Sequence, residues 1–216
     1  MIWLLTILLA GPGYIEELRL DFIQFYEDVE PKHAVDQWRV PFETGDRTKI
    51  STIRLISHFG AGRRSYIKGH IHTGVDLIRR KGKPGNVYVL PVARGVVCSI
   101  HLGAPHTTVV VRHKLKDGST LFTSYKHLAE VYVDCGKQVG VDTRLGRLFT
   151  RAEAKKLGGN YDHLHFEVRK KFDDYGVASW ATMTRAELKE RFYAPLEFLK
   201  KKLTADRRRR SPDRPG

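Results

Sequence analysis

Cysteine is nearly absent from this chain. Cys98 and Cys135 are the only two, and neither lies in a histidine cluster, so a thiolate-built structural zinc site is excluded. Nothing around either thiol would lower its pKa enough to make it a nucleophile, and a single Cys98–Cys135 bridge is the most that a disulfide framework could contain. Long apolar runs are missing as well. The longest, Met1 to Ala10, is too short to cross a bilayer as a helix. It matches the apolar region of a secretory signal peptide with Ala10 as the cleavage residue, although no Lys or Arg precedes it; a late start codon and a short membrane-facing anchor are the other readings. Acidic residues are in short supply: 24 against 38 basic ones give a formal charge of +14, which favours a polyanionic partner.

What the chain does contain is enough for one domain. With 216 residues and 41% hydrophobic content, one sizeable core fits comfortably and two full domains do not. Between Ile53 and Val168, short runs rich in Val, Ile, Tyr, Phe and Thr alternate with glycine, proline or asparagine turns, which predicts mainly antiparallel β structure. The expected strands are Ile53 to Ile56, Val75 to Ile78, Val87 to Val92, Gly95 to Leu102, Thr107 to His113, Thr120 to Tyr125 and His163 to Arg169. Thr150 with Glu153 predicts a capped short helix ended by Gly158, and Thr184 with Glu187 predicts another running toward Tyr193 before Pro195 restarts the pattern. Leu188, Phe192, Leu196 and Leu199 recur at helical spacing and are expected on the core side.

The chain divides accordingly into an apolar segment over residues 1–10, an N-terminal extension over 11–50, a β domain over 51–170, a helical C-terminal extension over 171–204 and a basic, disordered tail over 205–216. Within the extension, Ile15 to Phe22 has alternating, strand-like character.

Chemistry concentrates in three short segments. In Tyr161-Asp162-His163-Leu164-His165-Phe166-Glu167-Val168, two histidines and a glutamate occupy alternate positions of a strand-like run, so they share one face while Leu164, Phe166 and Val168 share the other. Upstream, Gly69-His70-Ile71-His72-Thr73-Gly74-Val75-Asp76 adds histidine and carboxylate in a glycine-punctuated stretch. Two imidazoles and one carboxylate suit Zn²⁺ and leave a fourth tetrahedral position for water, which is the catalytic pattern. A third region, Tyr125-Lys126-His127-Leu128, closes a strand-like run between the other two.

The order His72-x3-Asp76, Tyr125-x-His127-Leu128, His163-x-His165-Phe166-Glu167 resembles the lysostaphin and LytM-type zinc metallopeptidases that cut peptidoglycan. Phe59-Gly60 and the run Val87 to Val97 agree with it, and the resemblance covers about Ser51 to Arg169. It implies antiparallel β-sheets forming a groove, with zinc held by His72, Asp76 and His165. His127 and His163 would flank the metal-activated water, the general base being unassigned between them. Glu167 is read either as a salt-bridge partner of Arg169 or as the carboxylate that holds a ligand imidazole. His70 is two residues too early to be the ligand, and His58, His101, His106 and His113 receive no role.

The resemblance further implies an exported monomer acting as a peptidoglycan endopeptidase on cross-links or stem peptides. Its excess positive charge would then serve an anionic cell-wall polymer or a membrane surface, with no specific nucleic acid involved. The segment Leu148 to Asp162 departs from the family, where a glycine and serine-rich turn is usual; it would rim the groove and bear on substrate choice. Two rival readings are a non-enzymatic regulator of a cell-wall amidase or division protein on the same fold, and phosphotransfer through a histidine. The first is disfavoured because all five positions are filled; the second by Asp76 and the export signal.

Overall fold

The computed structural model describes residues 23–62, 70–80, 86–172 and 184–210. The expectations for residues 1–10, for Ile15 to Phe22 and for 211–216 lie outside these. Among the described residues twelve strands run in chain order: β1 Ile23–Tyr26, β2 Ile53–Ser57, β3 Val75–Arg79, β4 Tyr88–Val89, β5 Gly95–Leu102, β6 Thr108–Lys114, β7 Thr120–Lys126, β8 Leu128–Val131, β9 Gln138–Val139, β10 Gly146–Leu148, β11 Leu164–Arg169 and β12 Phe192–Tyr193. Three α-helices accompany them: α1 Arg151–Lys156, α2 Arg185–Arg191 and α3 Pro195–Arg210.

The large sheet has the order β1-β5-β6-β7-β11-β3-β2, with β12 added to β11 and β9 to β5; β4, β10 and β8 form a small second sheet. Every strand pair is antiparallel. The main core lies between the sheets, where Val109, Val111, Leu121, Tyr125, Phe166 and Val168 of the large sheet meet Val89, Leu128 and Leu148 of the small one. Val110 points the other way, into a separate cluster with Cys98 and Phe122. Three consecutive valines are thus fully buried, because both faces of β6 are covered. The cysteines face different sides as well: both are free thiols, Cys98 in that second cluster and Cys135 against the main core.

Both ends of the described chain join this core. Val35, Trp38, Val40 and Phe42 are buried in it with Leu199 and Leu203 of α3. The Arg47 guanidinium donates to the carbonyls of Val40, Pro91 and Val141, tying the N-terminal extension to the sheet. Burial pushes its pKa down to about 10.

Two boundaries differ from expectation. Helix α2 stops at Arg191, and Phe192–Tyr193 pair with Val168 and Arg169 as a strand, with Phe192 filling a cluster with Leu188. The tail expected to be disordered from residue 205 is helical as far as Arg210. Its reason is tertiary: Asp206 is buried and accepts the Trp38 backbone N–H at 2.5 Å, which fixes that turn of α3. The caps at Thr150 and Thr184 form as full capping boxes, each with its glutamate three residues on. Among the described residues no helix is long and apolar enough to cross a membrane.

His113 is a buried structural histidine. Its Nδ1 donates to the Arg94 carbonyl and its Nε2 bonds the Thr123 hydroxyl, both at 2.8 Å. Burial lowers its pKa to about 4, only partly offset by the Arg94 carbonyl. A depressed folded-state pKa makes the neutral ring's contribution complete above the unfolded value of about 6.5, and it is lost as pH falls toward about 4. Urea unfolding of metal-free protein is therefore expected to show the wild type losing about 3 kcal/mol more than His113→Gln between pH 7 and pH 4. Parallel acid profiles for the two proteins would contradict this.

Candidate active site

Sheet register assembles the site. Asp76 on β3 lies directly opposite His165 on β11, His165 opposite Lys126 on β7, Lys126 opposite Thr108 on β6, and Thr108 opposite His101 on β5. Directly opposed residues project to the same face, so these five form one polar row across the sheet. All five are buried. Leu164, Phe166 and Val168 occupy the other face of β11, in the main core, as the alternation in the sequence predicts.

His72 enters just ahead of β3. Its Nδ1 lies 2.8 Å from the His58 carbonyl, which fixes that nitrogen as the donor and turns Nε2 inward. Nε2 then stands 3.0 Å from Asp76 Oδ1 and 2.9 Å from His165 Nδ1. His165 has the opposite arrangement: Nε2 faces Glu167 Oε1 at 2.9 Å and Nδ1 faces Asp76 Oδ1 at 3.1 Å. The outer nitrogen of each ring is committed to an acceptor, so two imidazole lone pairs and a carboxylate converge on one point. Such a set requires a cation or a proton at its centre. Neighbouring ligands of a tetrahedral zinc with bonds of about 2.0–2.1 Å stand about 3.3 Å apart, close to the separations here. The donor set His72, Asp76 and His165 therefore fits the ion. Gly74 allows this approach, since a Cβ there would collide with the Phe166 carbonyl and crowd His165 Nε2.

Glu167 accounts for both of its sequence readings. It is fully buried, bonding His165 through Oε1 and Arg169 Nη1 through Oε2 at 2.7 Å, with the Thr73 hydroxyl also donating to Oε1. Burial alone would raise its pKa, but the Arg169 charge and the His165 hydrogen bond hold it far below the usual carboxylate range. The Asp76 carboxyl is likewise held down against burial by the three imidazoles beside it, His163, His165 and His72. Burial lowers His165, yet its bonds to Asp76 and Glu167 outweigh that and raise it.

His127 follows β7 with a left-handed backbone, φ 70°, which turns its ring over this face. Its Nδ1 lies 2.8 Å from the Pro105 carbonyl, leaving Nε2 as the proton-accepting nitrogen. Burial, then the neighbouring His163, pushes its pKa well below the ordinary histidine value, so the ring is neutral at working pH. His163 stands between the two groups: its ring centroid is 4.8 Å from that of His127, and its Nε2 is 3.6 Å from Asp76 Oδ1. All five sequence-singled residues thus come together, while His70 is outside the converging set.

Sequence reasoning missed several participants. The carbonyls of His58 and Pro105, which orient His72 and His127, leave no mark in residue type. His106, set aside as a turn histidine, is buried with its ring 5.5 Å from His127 and 5.8 Å from Tyr161. Burial, then the Lys126 charge, lowers its pKa to about 3. Tyr161 also packs on His127 at 5.3 Å. Its aromatic character within the segment that departs from the expected glycine and serine-rich turn was the available signal.

Residues 70–176 match peptidase family M23. Among solved structures, the chain is similar to a chain of the SpoIIIAH and SpoIIQ complex, with 21% identity over 71% of this chain and 98% of that one and a TM-score of 0.40. It is similar to the catalytic domain of the antimicrobial peptidase lysostaphin from Staphylococcus simulans, with 18% identity, 69% and 94% coverage and a TM-score of 0.45. A zinc-containing peptidase from Vibrio cholerae gives 22% identity, 63% and 36% coverage and a TM-score of 0.41. No curated protein matches the sequence.

Proposed function

We propose that this chain, whose residues 70–176 match peptidase family M23, is a zinc-dependent endopeptidase that hydrolyses peptide bonds of peptidoglycan, in cross-links or stem peptides. The observation that carries this reading is the buried convergence of His72 Nε2, Asp76 Oδ1 and His165 Nδ1 within 2.9–3.1 Å, with a neutral imidazole beside it. Zinc held by those three atoms would supply a water acidified to near neutrality and would polarise the peptide carbonyl.

The remaining steps belong to the protein's own side chains. His127 takes the proton of the attacking water at Nε2, while its Nδ1–H stays on the Pro105 carbonyl, so the ring cannot tilt away. The same ring returns that proton to the leaving amine. His163 is the more open of the pair, with 17% side-chain exposure, and donates to the oxygen that gains charge as the carbonyl becomes tetrahedral. Glu167 keeps the His165 proton on Nε2, which preserves Nδ1 as a ligand.

Export and a role in the cell envelope belong to the same proposal, as does recruitment by an anionic wall polymer or membrane surface through the excess of basic residues. The test is mass spectrometry of fragments released from purified peptidoglycans by zinc-loaded protein, against chelated protein. New peptide termini in the loaded sample alone are expected, and they identify the bond. Absence of release from every wall type by zinc-loaded protein would replace this reading with the non-enzymatic regulator.

A further inference from the structure

Resting on that reading, we propose that Tyr161 is a substrate-contacting, specificity-determining residue of the groove, held in place by a clamp built on Arg151. The turn from α1 to β11 is short and polar, and Arg151 at the start of α1 spans it. Its Nη1 donates to Asn160 Oδ1 and to Asp162 Oδ1, both at 2.9 Å. The two residues flanking Tyr161 are thereby tied to one guanidinium, which sets the direction of the side chain between them. Gly159 completes the arrangement: a Cβ there would overlap the Tyr161 ring, so the ring packs directly against that glycine. From this position it meets the rings of His127 and His106 at 5.3 and 5.8 Å.

Tyr161 is half-buried, whereas the two imidazoles under it are buried. Its remaining surface therefore stands next to the group that handles the proton, where a peptide undergoing hydrolysis must lie. An aromatic face with one polar tip suits an extended peptide whose backbone and short aliphatic side chains pack on the ring. The capping box of Thr150 and Glu153, with Arg147 bonded to Glu153 at 2.9 Å, anchors the helix that carries the clamp. Arg151 acts as a positioning residue and makes no contact with substrate in this scheme.

The experiment uses the full zinc-loaded chain and soluble muropeptides released from purified peptidoglycan by a glycan-cleaving enzyme. KM and kcat are measured by product formation, and Kd for the same muropeptides by calorimetry on chelated protein, where turnover is absent. Tyr161→Ala is expected to raise KM and Kd about tenfold with kcat within about twofold. Tyr161→Phe recovers most of that loss, and Arg151→Ala raises KM about threefold through the loosened turn. Unchanged KM and Kd in Tyr161→Ala would overturn the proposal, and so would a lowered KM, which would make the ring an obstruction. Tyr161-dependent binding without turnover in the wild type would leave this inference standing and remove the peptidase reading; muropeptides that fail to bind the wild type would remove both.

Discussion

His127→Ala is expected to bind zinc as the wild type does while peptide hydrolysis falls by about 10²–10⁴-fold. The split follows from geometry: His127 lies outside the three converging donors, and its ring neighbours are His163, His106 and Tyr161, with the His165 ring 6.3 Å away. Removing it takes away the neutral imidazole and leaves the ligand atoms in place. His72→Ala should behave in the opposite order, losing zinc first and activity as a consequence, because one of the two nitrogens is gone. Zinc content by atomic emission and rates by product formation separate the two variants. An undiminished rate in His127→Ala would end its assignment as the proton acceptor and shift that role to His163.

Glu167→Ala should weaken both the fold and the metal site. Arg169 is 1% exposed and its guanidinium also stacks on Phe192 at 4.8 Å, so deleting the carboxylate removes a buried ion-pair partner from that cation. Breaking a buried pair by removing one partner costs about 3–5 kcal/mol. His165 loses the acceptor on Nε2 at the same time, its tautomer is no longer fixed, and zinc affinity is expected to fall about 10–100-fold. The two effects come apart in the double variant Glu167→Leu with Arg169→Met, which should regain stability without regaining zinc affinity. Urea unfolding of chelated protein measures the first, and competition with a zinc-binding dye the second. Wild-type zinc affinity in the double variant would leave Glu167 with a purely structural part.

The site was legible in sequence because its chemistry follows strand alternation. His163, His165 and Glu167 repeat with period two against Leu164, Phe166 and Val168, and the partner Asp76 stands in a run whose apolar residues mark it as a strand. Helix starts were legible for a comparable reason, since a threonine and a glutamate three residues apart satisfy each other's backbone locally. What escaped depends on distant contacts. Phe192 sits at helical spacing from Leu188 and still leaves the helix, because Val168 and Arg169 offer it a strand edge and Leu188 a cluster. The two- to four-residue strands β8, β9 and β10 are too short to display a period. The Arg-rich turn of α3 carries no apolar signal, and the buried bond between Asp206 and Trp38 ties it to the N-terminal extension.

The order of strands in the large sheet also has a meaning in time. β11 is inserted between β7 and β3, so neither of those neighbours can close on the other before the chain has been made as far as residue 169. Asp76 and His165 are 89 residues apart, and His72 and His165 are 93 apart. A nascent chain that has emerged only through β7 holds two of the three candidate ligands, His72 and Asp76, and lacks His165. On the proposed zinc reading, metal capture would be a late event that reports the insertion of β11, and a chain truncated before β11 would lack the third ligand even with every earlier strand correctly paired.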